Sequence, residues 1–254
     1  MKICVLIKQV PSADSTLRIK SDGSWIQEEM VTFTMNESDL YALEEALQIK
    51  EKTGDGEVVA VSLGPYRIQR TIRDALARGA DRAIHIQETT PYTTDPFVTA
   101  SLLAKELADE NFDLILSGLQ SDDAGMGQTG VILGELLGMS TATLVMATEL
   151  KDDSIRVKRE LEAGWFQWVT LKLPALLSIQ SGLNKPRYPS LKGIMASKKK
   201  EIKQVQKDDT IGALQPLNNI HVPQKAKRTE MLDGTADQIV EKLVQIMKTE
   251  IKIL

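Results

Sequence analysis

The chain has 254 residues, 42% of them hydrophobic and 26% charged, enough for one large α/β domain with an appendage. A formal net charge of −4 argues against a general nucleic-acid binder, since neutralising phosphates needs a basic surface. One cysteine, Cys4, rules out an intramolecular disulfide, and with only His85 and His221 beside it no metal cluster is readable.

Ile3-Cys4-Val5-Leu6-Ile7 is a continuous apolar run, as in a strand covered on both faces, and too short for a signal-peptide core. No window approaches the ~20 apolar residues of a membrane helix, so a cytoplasmic protein without membrane insertion is expected. Leu17 to Lys20 and Trp25-Ile26 flank Asp22-Gly23, a hairpin signal. Asn36 or Ser38 then caps a helix running to about Lys52, with Leu40, Leu43, Ala46 and Leu47 on its apolar face and Gly54 as its stop.

Val58 to Leu63 reads as the second buried strand, followed through Gly64-Pro65 by a helix carrying Ile68, Ile72, Ala75 and Leu76 and ending at Gly79. Ala83 to Ile86 is the third. Asp95-Pro96 opens a helix with Phe97, Ala100, Ala104 and Leu107 on one face. Leu114 to Gly118 is the fourth strand, with a helix from Gly127 to Leu137 behind it. Four strand–helix alternations predict a doubly wound, mostly parallel sheet whose ligand lies at the strands' carboxyl ends.

From Leu144 the pattern alternates, and Ile155 to Arg159 with Trp165 to Leu173 predict antiparallel edge strands. Pro174 leads into another buried strand, Ala175 to Ile179. Asn184-Lys185-Pro186-Arg187-Tyr188-Pro189 follows, stiffened by two prolines, then Leu191, Ile194 and Met195 beside Lys198-Lys199-Lys200. Such a segment suits a surface that holds a partner. Beyond Lys200 the chain turns polar and closes on a helix with Ile239, Leu243, Ile246 and Met247, entered through Thr235, Ala236 or Asp237. The expected division is an α/β nucleotide-binding domain over 1–200, including a recognition loop at 184–200, and an arm over 201–254 that packs on another chain.

Chemistry concentrates in Gly118 to Gly130, which has four glycines and leads into a helix. That arrangement offers backbone N–H groups at a helix's positive end, a phosphate cradle, with a plain strand-to-helix turn as the competing reading. Asp122 and Asp123 fit capping or solvation better than acid–base work. No glycine fingerprint follows the first strand, and no nucleophile–base pair is evident. Both histidines read as core or surface residues. The chain looks like a nucleotide holder that catalyses nothing by itself.

Several separated blocks carry a resemblance. They are Asn184-x-Pro186-Arg187-Tyr188 with Leu191, Ile194-Met195 and the three lysines; Met35-Asn36 before Glu44-Glu45-Ala46; Val59 to Pro65; Thr71 to Ala77; Gly79 to Arg82; Gly118-x-Gln120-Ser121-x-Asp123 with Thr129-Gly130; and Val157 to Glu160. Together they resemble the beta subunit of the electron transfer flavoproteins over nearly the whole chain. The resemblance implies a heterodimer whose alpha subunit holds most of a redox FAD, while beta holds a structural AMP. It implies AMP contacts at Leu6, Asn36, Glu37, Ser38, Asp39, Leu63, Gly118, Gln120, Ser121, Asp122, Asp123, Ala124, Gly125, Met126, Gly127, Gln128 and Thr129. Leu191, Ile194 and Met195 would dock acyl-CoA or other flavin dehydrogenases, Arg159 and Glu160 would touch the alpha subunit, and electrons would leave to a quinone oxidoreductase.

Two departures stand out: Glu37 where many members have proline, and the aromatic turn Glu162 to Trp168 where the family has a double glycine. Trp165, Phe166 and Trp168 either cover a partner or pack internally. An electron-bifurcating form with a second FAD in place of AMP is the alternative within the family. The 118–130 loop lacks the proline such members tend to carry, which favours AMP. A stand-alone nucleotide-binding sensor of the same fold is the alternative outside it.

Overall fold

The computed structural model describes residues 1–88, 95–206, 211–223 and 229–253, arranged as two compact units, Met1–Asn219 and Ile220–Leu254. In the first unit the strands are β1 (Lys2–Leu6), β2 (Gln9–Pro11), β3 (Phe33–Met35), β4 (Glu57–Gly64), β5 (Arg82–Gln87), β6 (Leu114–Gly118), β7 (Ser140–Leu150), β8 (Ser154–Glu160), β9 (Phe166–Lys172), β10 (Ala175–Ile179) and β11 (Ile202–Gln206). The helices are α1 (Glu37–Thr53), α2 (Gln69–Arg78), α3 (Pro96–Leu107), α4 (Thr129–Leu136) and α5 (Leu191–Ser197). In the second unit α6 (Ala236–Ile246) passes into a turn of π-helix at Met247–Ile251. None of the described helices is long and apolar enough to cross a membrane.

Nine strands form one sheet in the order β11-β5-β4-β1-β6-β10-β7-β8-β9, parallel as far as β7 and antiparallel from there to β9. Both faces are covered, so alternate residues of one strand enter different cores. Ile3 and Val5 of β1 join the α1 and α2 side, whereas Cys4 and Leu6 join the α3 side. Cys4 is fully buried, and burial pushes its thiol above the ordinary range, as in a packed, inert cysteine. The chain runs β1-β4-β5 outward, then returns to place β6 on the other side of β1. The sheet's switch point therefore lies between β1 and β6, and a Rossmann-like cleft is expected at their carboxyl ends.

Local signals explain most boundaries. Gly54 takes the left-handed conformation at φ 73° that ends α1. Asp95 accepts the amide of Phe97 at 2.7 Å ahead of Pro96, as the sequence predicts for α3. Its other oxygen takes the amides of Leu214 and Gln215, which ties a distant segment to the helix start. Thr235 and Gln238 form a capping box for α6.

Several expectations need correction. The hairpin about Asp22-Gly23 is present but short, with one bridge, Ile19 to Ile26, flanked by the Lys20 N–H to the Trp25 carbonyl and the Gln27 N–H to the Arg18 carbonyl. The apolar face of α3 is Val98, Ala100, Leu102, Leu103 and Leu107, with Phe97 and Ala104 only half-buried. The segment from Leu191 is a helix, because Ser190 caps it by accepting the amide of Gly193. β7 begins at Ser140, before the change of pattern at Leu144. β11 lies inside the stretch expected to be an arm. It pairs with β5 on the main sheet, so the division falls after Asn219 rather than after Lys200.

Candidate functional site

The cleft opens at the carboxyl ends of β1, β4 and β6, with Leu6, Leu63 and Gly118 at those ends and α3 and α4 at its sides. It encloses about 150 Å³, far above the ~10–15 Å³ that one water requires, so it is ligand-sized. Of the residues implied as AMP contacts, Leu6, Asn36, Asp39, Leu63, Gly118, Gln120, Ser121, Ala124, Met126, Gly127, Gln128 and Thr129 line it. Glu37, Ser38, Asp122, Asp123 and Gly125 are not in its lining but hold or shape the loop behind it.

The start of α1 fixes that loop. Asn36 does not cap its own helix; its amide donates to the Gln120 carbonyl at 2.9 Å and its Oδ1 accepts the Asp122 amide at 2.8 Å. Ser38 Oγ also donates to the Gln120 carbonyl, and Asp122 accepts the backbone N–H of Glu37. Asp39 straps the switch point, accepting Lys8 N at 2.7 Å on one oxygen and Gly118 N at 3.0 Å on the other. Burial raises the Asp39 carboxyl to about 7, opposed by these amides and by Asn36. The Met35-Asn36 block and the glycine loop are thus two halves of one hydrogen-bonded frame.

Gly118 cannot be replaced without displacing that frame, because an added Cβ would lie 2.3 Å from both Asp39 Oδ1 and Ser38 Oγ. Gly125 and Gly127 both sit at φ 63°, where glycine is favoured, and turn the loop toward α4. The N-terminal residue Gln128 gives α4 no side-chain cap, so its first-turn amides stand at the cleft wall for an anion.

Lys8, absent from the contacts expected from sequence, joins the frame to the loop. Its ammonium lies 2.6 Å from Asp123 and 3.1 Å from Ser121 Oγ. Burial alone would raise the Asp123 carboxyl, but Lys8 and the Ser121 and Ala124 donors outweigh it and hold the group below its usual range. Thr99, Leu103, Glu88 and Ser117 in the cleft wall were also missed. Thr99 and Leu103 lie one and two turns after the Asp95-Pro96 start signal, the only hint that this helix faces the site. Among the described residues the buried Ser117 hydroxyl has no hydrogen-bond partner. His85 is fully buried in β5 and bonds the Gly64 carbonyl at 2.9 Å; burial lowers its pKa, as expected of a core histidine.

A second surface lies around α5. Leu191 and Met195 are 83% and 72% exposed, with Ile194 at 42%, on a helix held from below. Arg187 reaches Glu44 and Glu51 of α1, and Asn184 donates to Glu45 and the Tyr41 carbonyl. Arg73 and Lys200 donate to carbonyls on either side of the α2–α5 contact. Gly193 lets the helix approach α2 so closely that a Cβ would fall 2.2 Å from the Ala77 carbonyl oxygen. The Glu44-Glu45-Ala46 and Asn-x-Pro-Arg-Tyr blocks therefore clasp each other.

Arg159 and Glu160 stand together at the end of β8, where Arg159 bonds Thr143 and Glu160 accepts from Gln180. The aromatic turn does not pack internally. Trp165 is 73% exposed, and Arg156 and Lys158 cover the rings of Trp168 and Phe166 at 4.4 and 3.9 Å. Among the described residues no metal-binding cluster exists.

Sheet order, cleft position and glycine loop define a Rossmann-like α/β protein with its ligand cleft at the switch point. Residues 24–210 match the electron transfer flavoprotein domain. Over its length the chain is 35% identical to the electron transfer flavoprotein subunit beta of Methylophilus methylotrophus, covering 97% of this chain and 98% of the relative. The corresponding subunits of Dictyostelium discoideum and Homo sapiens are 39% and 36% identical, covering 98% and 97% of this chain and 97% and 98% of theirs. The chain belongs to the electron transfer flavoprotein beta-subunit family, flavoprotein components of electron transport.

Proposed function

We propose that this chain is the beta subunit of a heterodimeric electron transfer flavoprotein and holds AMP as a structural ligand in the switch-point cleft. The observation that carries the reading is the frame joining Asn36, Ser38 and Asp39 to the 118–122 backbone, with the uncapped start of α4 beside it. A nucleotide fits this site. The phosphate would take the amides around Gln128 to Gly130, and Leu6, Leu63 and Met126 supply apolar wall for the base. Among the described residues the Lys8 ammonium beside Ser121 Oγ is paired with Asp123 rather than free to act as a base, which favours a ligand that is held rather than transformed.

FAD, held mainly by the alpha subunit, supplies the redox chemistry when bound. This chain's residues position and dock. Arg159 and Glu160 face the alpha subunit. Leu191, with Ile194 and Met195, enters an apolar pocket on an acyl-CoA or other flavin dehydrogenase, and electrons then pass through the FAD to a quinone oxidoreductase. A buried aliphatic anchor is worth about 1.5–3 kcal/mol, which suits a partner that must leave again. The absence of a proline after Gln128 favours AMP over the second FAD of a bifurcating form.

Denaturing the purified heterodimer and quantifying the released small molecules tests the reading. One AMP and one FAD per heterodimer are expected. Two flavins, or no adenylate, overturn it.

A further inference from the structure

The segment Lys185 to Lys200 contains six cations and no acid, in a chain whose net charge is −4. Hydrogen bonding sorts those cations into two sets. Arg187 is neutralised by Glu44 and Glu51, and Lys200 is spent on the Leu76 and Ala80 carbonyls, where burial lowers its pKa. Lys198 is exposed and, among the described residues, its side chain has neither an ion pair nor a hydrogen bond.

Lys198 forms one rim of an open groove of about 790 Å³ between β3, α2 and α5. Arg70 forms another, equally exposed and equally without a partner among the described residues. Arg73 lies between them. Its guanidinium is oriented by the Ser197 and Lys200 carbonyls, which leave its charge uncancelled by any acid among the described residues. The one acid in the wall, Asp74, is already paired with Arg78 at 2.9 Å. Phe33 and Ile194 supply the apolar part.

Ile194 belongs to this groove and also stands one turn from Leu191 on the same helix face. Whatever covers Leu191 is therefore brought to the groove's edge. We propose that the groove is a second contact for the redox partner that accepts Leu191, and that it receives a carboxylate-bearing segment of that protein. The inference rests on the docking role assigned to Leu191 above. The apolar anchor supplies affinity, while the unpaired cations set the approach and the orientation.

The test uses the intact heterodimer reduced by an acyl-CoA dehydrogenase, with the apparent second-order rate followed against ionic strength. Charge reversal by Arg70→Glu with Lys198→Glu is expected to lower that rate about tenfold at low salt, converge on the parent at high salt and leave kcat unchanged. Arg70→Gln with Lys198→Gln should give a smaller loss of the same kind; both sites are exposed, so the fold is retained. Leu191→Ala should slow the reaction at every ionic strength. If the charge variants keep the parent's salt dependence while Leu191→Ala slows transfer, the groove is unused and the inference fails alone. If Leu191→Ala changes nothing, the docking role fails, and the inference with it.

Discussion

Replacing Arg187 by alanine tests what holds the exposed helix α5 in place. Glu44 is the buried end of the clasp, its side chain 5% exposed, whereas Glu51 is 58% exposed. The Glu44 carboxylate receives the Arg187 side chain at 2.8 and 3.0 Å, the Arg187 backbone N–H at 3.1 Å and Gln48 at 2.9 Å. Burial opposes ionisation of Glu44, yet these donors hold its pKa below the usual value, so the charge is maintained by its partners. Arg187→Ala removes the two guanidinium bonds and keeps the other two. Deleting one partner of a buried pair costs about 3–5 kcal/mol, and with two donors surviving we expect ~3 kcal/mol. Glu51→Gln, which breaks only the exposed branch, should cost about 0–1 kcal/mol. For a unit of this size 3 kcal/mol corresponds to a fall in Tm of about 6–12 °C, measured by thermal melting of the heterodimer variants. On the docking role proposed for Leu191, Arg187→Ala should also slow reduction by a flavin dehydrogenase, because the mooring under that residue is loosened. Equal melting temperatures for the two variants would refute the reasoning.

Gly118→Ala places a methyl against Asp39 and Ser38 and against the Asp39 amide at 2.9 Å; overpacking and lost bonds should cost about 2–3 kcal/mol and, on the proposed AMP role, lower the adenylate released from the purified heterodimer. At the opposite end of the sheet, Lys2 and Arg82 hold Glu110 down to about 2, with Lys2 the larger influence and burial opposing it. A depressed carboxylate stabilises fully above its unfolded pKa of ~4.3 and loses that contribution as pH falls toward 2. Acid titration of stability should therefore steepen across pH 4.5 to 2, and Glu110→Gln should flatten that limb at the expense of stability at neutral pH.

Elements with strong periodicity or an unambiguous stop were legible in the sequence: the buried strands β1, β4, β5, β6 and β10, the cap and proline of α3, and Gly54 after α1. β11 was not. Only Ile202 and Val205 mark it as a strand, and its place on the sheet comes from pairing with β5 and from Lys203 reaching Glu106 of α3. The aromatic turn likewise admitted two readings, and only the folded chain shows that Trp165 lies outside the interior. Twelve residues expected in the cleft line it, because loops following parallel strands converge wherever the order reverses.

Composition and local pattern alone determined the doubly wound class, the end of the sheet at which the cleft opens and the exposed apolar residues at Leu191. They could not determine that Asn36, Ser38 and Asp39 spend their hydrogen bonds on the glycine loop, that Lys8 joins them, or that Glu44 and Arg187 meet across 143 positions of chain. Periodicity records which face of an element is apolar, a property of a few neighbouring residues. Which donor meets which acceptor depends on how elements far apart in the chain are brought together, and only the folded sheet sets that.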